Sequence, residues 1–223
     1  MEQLKRVEKP FRFYTRLHLS CLTGLRATTI VQLLGLMKEV PGSSIYHHTH
    51  RFLQQHQYLS PEPPNDFAYW ISEILGEDEL GERLASIDTV QFSNIRSLRE
   101  KIIQTVEEYL NSNPLAKLKF ARDGDEFHFI RSVSFVLPTK YIVYDLREFL
   151  DTLRKITIDS IYFHIFEARL RLEKKTNDFS YWIETSLGNA QLADKIARLD
   201  PYTRTLEDLR VALIQLIKRE IPL

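Results

Sequence analysis

The chain is written twice, and no other feature restricts its fold so tightly. "SIYHH" at Ser44 recurs as "SIYFH" at Ser160, and "NDFAYW" at Asn65 recurs as "NDFSYW" at Asn177. "SLREKIIQ" at Ser97 matches "DLRVALIQ" at Asp208, and upstream Phe11 and Phe13 of "FRF" correspond to Phe127 and Phe129 of "FHF". The order is kept, and the offset shrinks from 116 to 112 residues across the connection that holds "LSPEPP" in the first copy. Ordered self-similarity of this kind marks an architecture of stacked equivalent units. The reading is two tandem pseudo-symmetric repeats, 9–111 and 125–221, joined by a linker over 112–124.

Each element can be checked against its copy. Phe11, Phe13, Leu17 and Leu19 share one parity, as do Phe127, Phe129, Val133 and Phe135, so a strand opens each repeat. A helix follows, with Ile30, Leu33, Leu34, Met37 and Val40 on one face and Leu146, Phe149, Leu150, Leu153 and Ile156 in the copy. Capping boxes are expected at Thr29 with Gln32 and at Asp145 with Glu148. A second helix carries the histidines, from about Ser44 to Gln57 and from Ser160 to Lys174. A third starts at Asp66 or Asp178 and stops at Gly76 or Gly188, glycine being suited to the left-handed residue after a helix. A short fourth covers Leu80 to Ile87 and Leu192 to Leu199, and a fifth Asn94 to Leu110 and Leu206 to Ile221, the latter capped by Thr205 with Asp208. The expected fold class is mainly α with a minor β component, about one strand plus five helices per repeat. The two opening strands could pair within one chain or between chains.

With 43% hydrophobic and 11% aromatic residues, the 223-residue chain can bury a real core. Lys plus Arg equals Asp plus Glu at 30 each, which argues against a general nucleic-acid binder. The basic stretch Arg169 to Lys175 reads as a solvated helix end. Cys21 is the only cysteine, so no intrachain disulfide and no cysteine-based zinc framework is expected, and nothing near it marks a nucleophile. The N-terminus lacks the apolar core of a signal peptide, and no run of about 18 apolar residues occurs, so a cytoplasmic, non-membrane protein is expected. Seven glycines, with no Gly-rich loop, weaken any nucleotide-binding proposal.

The string "YHHTHRFLQQHQYLSPEPPNDFAYW", followed by "LGEDELGERLASIDT", "YFHIFEARLRL" and "NDFSYW", resembles an uncharacterised prokaryotic family, a conserved domain of unknown function. The resemblance covers nearly the whole chain. It implies an association with gene neighbourhoods for trehalose or other sugar metabolism, and carries over no activity and no catalytic residue.

Within "SIYHHTH", His47 and His50 lie three apart, a spacing that suits two imidazoles on one metal, with Asp66 or Glu62 as further ligands. The copy has Phe163 and Phe166 there, which favours packing faces over a metal, so none is expected. His48 recurs as His164: either a buried imidazole satisfied by a carboxylate or carbonyl, or a paired ligand-binding or acid–base group. Asp66 and Asp178 are expected to cap the third helix, and Trp70 and Trp182 to anchor the core. With Tyr46, Tyr69, Tyr162 and Tyr181 they could also line a pocket for a sugar or an aromatic ligand. Asp88 and Asp200 are expected to pair with Arg99 and Arg210, which could instead hold an anion. Glu107 and Glu108 stand where the copy has Lys218 and Arg219, the mark of a solvated face.

The reading that follows is a binding, regulatory or scaffold protein without catalysis or cofactor. Its ligand or partner surface is placed where the repeats face each other, near the histidine helix and the "NDF-x-YW" turn. The alternative is an enzyme acting on a small polar, sugar-related substrate through histidine and aspartate acid–base groups in the first repeat, with the asymmetric His47 and His50 marking the active half. A protein partner or a small polar ligand, or self-association, is compatible with either; nucleic acid and membrane are not expected.

Overall fold

The computed structural model describes residues 5–51, 65–168, 176–199 and 205–221. Strand β1 (Phe11–Ala27) is followed by helix α1 (Ile30–Glu39), then α2 (Gly42–Tyr46), which runs on into a π-helical turn, His47–Arg51. Helix α3 (Asp66–Tyr69) does the same, with its π turn at Trp70–Ile74, before α4 (Asp78–Ala85) and α5 (Ile95–Ser112). Strand β2 (Phe127–Val143) then opens the same order: α6 (Leu146–Leu153), α7 (Ile158–Tyr162) with a π turn at Phe163–Glu167, α8 (Asp178–Trp182) with one at Ile183–Leu187, α9 (Ala190–Ala197) and α10 (Leu206–Lys218). The fold is mainly helical, with one two-stranded antiparallel sheet, β1–β2. The outer parts of the expected second helices, 52–57 and 169–174, lie outside the described residues.

The chain forms two compact units: unit one is Met1–Leu17 with Phe135–Leu223, and unit two is His18–Ser134. These do not follow the repeat boundaries 9–111 and 125–221, because each 17-residue strand is divided between the units. Antiparallel pairing places the first half of one strand beside the second half of the other. Phe11 and Phe13 therefore pack in a core with Val143, Phe149, Phe179 and Trp182, all from the second copy. Phe127 and Phe129 pack with Ala27, Phe67, Trp70 and Leu98 of the first. Equivalent bonds hold each exchange: Thr139 Oγ1 donates to Phe13 O at 2.8 Å, and Thr23 Oγ1 to Phe129 O at 2.6 Å. The strand parity continues past these phenylalanines but burial does not, since Leu17, Leu19 and Phe135 are about half exposed. Nor is 112–124 a free linker: it forms a 3-10 turn at Pro114–Leu118 and sends Ala116 and Ala121 into the core of unit two.

The helix ends follow the sequence closely. Thr29 accepts from Gln32 N, and Asp145 from Arg147 N and Glu148 N. The reciprocal arms reach one residue further back than a standard capping box: Gln32 Oε1 accepts from Thr28 N and Glu148 Oε2 from Tyr144 N, each at 2.8 Å. Thr205 and Asp208 close a full box on α10. Gly76 and Gly188, at φ of 66° and 75°, end the π turns in the left-handed region. Among the described residues, neither Arg99 nor Arg210 pairs with an aspartate. Arg99 donates to Val40 O at 2.6 Å, and Arg210 to Leu153 O and Ile156 O, so each binds bare carbonyls at the C-terminal end of α1 or α6. Asp200 lies outside the described residues. Glu107 meets Lys38 at 2.6 Å on an exposed face, as its charge reversal suggested.

Gly81 sits inside α4 for lack of room. A Cβ there would lie 1.8 Å from Ser72 Oγ, 3.0 Å from Ser72 Cβ and 3.2 Å from Ala68 O. The serine hydroxyl can rotate away, but the carbonyl belongs to helix α3 and cannot. Gly81→Ala gains roughly 1 kcal/mol of helix propensity and meets about 1–3 kcal/mol of overpacking, so net destabilisation is expected. Urea denaturation compared with the parent checks the sign.

Candidate functional site

The repeated strings converge on one arrangement that occurs once in each unit. The π turn after α2 places His48 among Phe67, Phe127 and Phe129, with ring centroids 5.5, 4.7 and 5.8 Å away. His48 Nε2 accepts from the backbone N–H of Ile130 at 2.9 Å, and His48 Nδ1 lies 2.6 Å from Asp66 Oδ2. A nitrogen that accepts from an amide carries no proton, so the ring is the Nδ1–H tautomer, donating to the carboxylate. In unit one, His164 sits among Phe11, Phe13 and Phe179 at 4.9, 5.8 and 5.3 Å. Its Nε2 accepts from Tyr14 N–H at 2.9 Å and its Nδ1 faces Asp178 Oδ2 at 2.7 Å. "FxF", "SIYxH" and "NDF" thus recur together because each supplies one part of a histidine node that ties a helix to the strand of the other copy.

Asp66 and Asp178 are therefore not the helix caps expected of them. Asn65 and Asn177 are: their side chains accept from Ala68 N and Ser180 N, and their amides donate onward to Leu84 O and Ile196 O. With asparagine at the cap, the following aspartate is turned toward the imidazole. The tryptophans are core residues whose indole N–H groups reach matching carbonyls: Trp70 donates to Asp125 O at 2.7 Å and Trp182 to Lys9 O at 3.0 Å.

The other histidines of "SIYHHTH" gather in unit two alone. His47 Nδ1 lies 2.9 Å from Ser132 Oγ. Tyr46 stacks on His50 at 5.6 Å and on His18 at 5.7 Å. The Thr49 hydroxyl donates to Ile45 O, so the contact at 3.1 Å from His50 Nδ1 is a bond donated by the imidazole. Unit one has an aromatic counterpart, Tyr162 stacked on Phe166 at 4.9 Å. There Phe163 lies beneath the Arg16 guanidinium, and Arg16 pairs with buried Glu167, an ion pair that no repeated string announced. Among the described residues, no group of three or more His, Cys, Asp or Glu is placed to hold a metal ion. Glu62 lies outside them.

Burial, and then the neighbouring His48 ring, pushes the His47 pKa down to about 4 from an ordinary 6.5. The unfolded chain binds the extra proton between these values, so stability is full above pH 6.5 and falls as pH drops toward 4. His47→Phe, which copies Phe163, is expected to flatten that loss. Thermal melts of parent and variant at pH 7.5, 5.5 and 4.5 check it.

Unit one also contains an open cleft of about 650 Å³ beside its histidine node. Its lining includes Lys9, Arg12, Tyr14, Phe163, Asp178, Tyr181, Trp182 and Thr185. Of the residues proposed from sequence, His164, Asp178, Tyr181 and Trp182 line this cleft; Tyr46, His47, His48, His50, Asp66, Tyr69 and Trp70 belong to unit two, and Tyr162 packs in the core of unit one. Lys9 and Arg12 were not foreseen. The signal was present in "KPFRF", where Lys9 and Arg12 stand against Asp125 and His128 of "DEFHF".

No helix among the described residues is long and apolar enough to cross a membrane. A search of curated proteins finds no match. The fold is similar to that reported as the structure of OrfY from Thermoproteus tenax, at 28% identity and a TM-score of 0.81, covering 97% of this chain and 98% of that one. A family model also matches residues 8–218, nearly the span of the described strands and helices, and the chain belongs to that family, DUF5752, a family of unknown function.

Proposed function

We propose that this chain is a binding protein without catalysis, built by internal duplication, that takes a small polar ligand in the cleft of unit one. The observation that carries the reading is the state of the two recurring histidines. In both, Nδ1 is bonded to an aspartate and Nε2 to a strand amide, so neither ring offers a nitrogen for proton transfer without breaking the fold. The cleft adds what binding needs: concavity, aromatic walls and a few polar side chains. π-helical turns, which often accompany functional sites, lie on both helices that supply the node.

The enzyme alternative draws on one observation, the grouping of His18, His47 and His50 in unit two alone. A pKa of about 4 makes His47 a weak base near neutral pH, which counts against that role. Equilibrium dialysis of the parent and of Thr185→Trp against a small-molecule cell extract, read by mass spectrometry, tests the choice. The expected result is a polar compound retained by the parent, recovered chemically unchanged, and lost when tryptophan fills the cleft. Turnover of the retained compound, or retention indifferent to Thr185→Trp, contradicts the proposal.

A further inference from the structure

The two units differ in charge at equivalent positions. Trp182 Nε1 binds the carbonyl of Lys9 as Trp70 Nε1 binds that of Asp125, which fixes Lys9 and Asp125 as equivalent positions. Counting on from them, Arg12 stands where unit two has His128, and Thr185 of the π turn where unit two has Glu73. The cleft beside Asp178 thus carries Lys9 and Arg12, while the equivalent positions of unit two hold Asp125 and His128, with Glu73 in place of Thr185. Among the described residues neither Lys9 nor Arg12 has an ion-pair partner, although this chain pairs many of its surface arginines within their own helices. Asp178, the one carboxylate of the cleft lining, accepts from His164 Nδ1–H and is mostly buried.

We infer that the unit-one cleft selects an anionic small molecule, one bearing a phosphate or carboxylate group. Lys9 and Arg12 receive the anion at the mouth, Arg12 with the paired donors that suit such oxygens. Tyr14, Phe163 and Trp182 supply flat surface for the uncharged body of the ligand. Unit two, with Asp125 and Glu73 where unit one has Lys9 and Thr185, does not bind the same molecule. This inference rests on the cleft-binding reading and narrows it to one ligand class.

Isothermal titration calorimetry on the whole chain separates the two claims, using phenyl phosphate as the anionic probe and phenyl β-glucoside as the neutral one. Phenyl phosphate is expected to bind one site per chain, and Lys9→Glu with Arg12→Glu to weaken it roughly tenfold or more for each cation removed. Both side chains are exposed, so the variants should fold; Thr185→Glu, which imports the unit-two residue, is a second variant expected to weaken binding. If the glucoside binds and is indifferent to the charge reversals while phenyl phosphate does not bind, the anion inference falls and the binding reading stands. Anion binding unchanged by all three substitutions, or no binding of phenyl phosphate at millimolar concentration, also overturns the inference.

Discussion

His48→Leu and His164→Leu are each expected to cost about 2–4 kcal/mol, among the largest single-residue effects in this chain. Leucine keeps most of the volume and the apolar surroundings, so the cost comes from polar groups that lose their partner. For His48 these are the Ile130 N–H, held at 2.9 Å, and the Asp66 carboxylate at 2.6 Å. An abandoned buried N–H costs about 1–3 kcal/mol, and the loss of a charge-assisted bond to Asp66 adds to it. Asp66 is partly exposed and can turn to water, which keeps the total below the sum of both penalties. Asp66→Asn leaves an oxygen for Nδ1–H and is expected to cost only about 1 kcal/mol. Urea denaturation of the three variants ranks them, and equal effects for His48→Leu and Asp66→Asn would show that the strand bond matters little.

Phe13→Ala and Phe129→Ala should each remove about 3–5 kcal/mol, the usual range for truncating a buried phenylalanine. Both side chains are 1% exposed. The location of the damage is the sharper prediction. Phe13 touches Phe11, Phe149, His164 and Phe179, so its loss should speed hydrogen exchange in α6 and α8. Phe129 touches His48, Phe67 and Phe127, so its loss should speed exchange in α3 and in the π turn after α2. Strands packed on their own repeats would give the reverse assignment.

Most of the element order was legible in the sequence, because strings such as "SIYxH" and "NDF-x-YW" recur in the same order and one occurrence checks the other. The strand-then-five-helices order, the Thr205 cap and the glycine stops at Gly76 and Gly188 all came from local chemistry. What escaped was non-local. "FRF" and "FHF" announce an apolar strand face but not which core receives it, since exchange leaves the alternation unchanged. The cap fell on Asn65 and Asn177 rather than on the next residue because both types are good caps, and only the imidazole across the turn decides between them. The sequence offers Asp88 as a partner for Arg99, yet Arg99 reaches a helix-end carbonyl more than 50 residues away, and Arg210 does the same among the described residues. The histidine node itself was half visible: the sequence showed that His48 and His164 recur, and the structure adds the strand amide that occupies Nε2.

That amide decides the role of both histidines. A long-range ¹H–¹⁵N correlation spectrum of the imidazole rings at pH 7.5, assigned by loss of signals in His48→Leu and His164→Leu, reads the tautomer directly. Both rings are expected to be Nδ1–H, with Nε2 unprotonated and a through-bond coupling from the amides of Ile130 and Tyr14. An Nε2–H ring, or one averaging between tautomers in the folded protein, would release that nitrogen for chemistry and contradict the reading of these histidines as fixed parts of a binding protein.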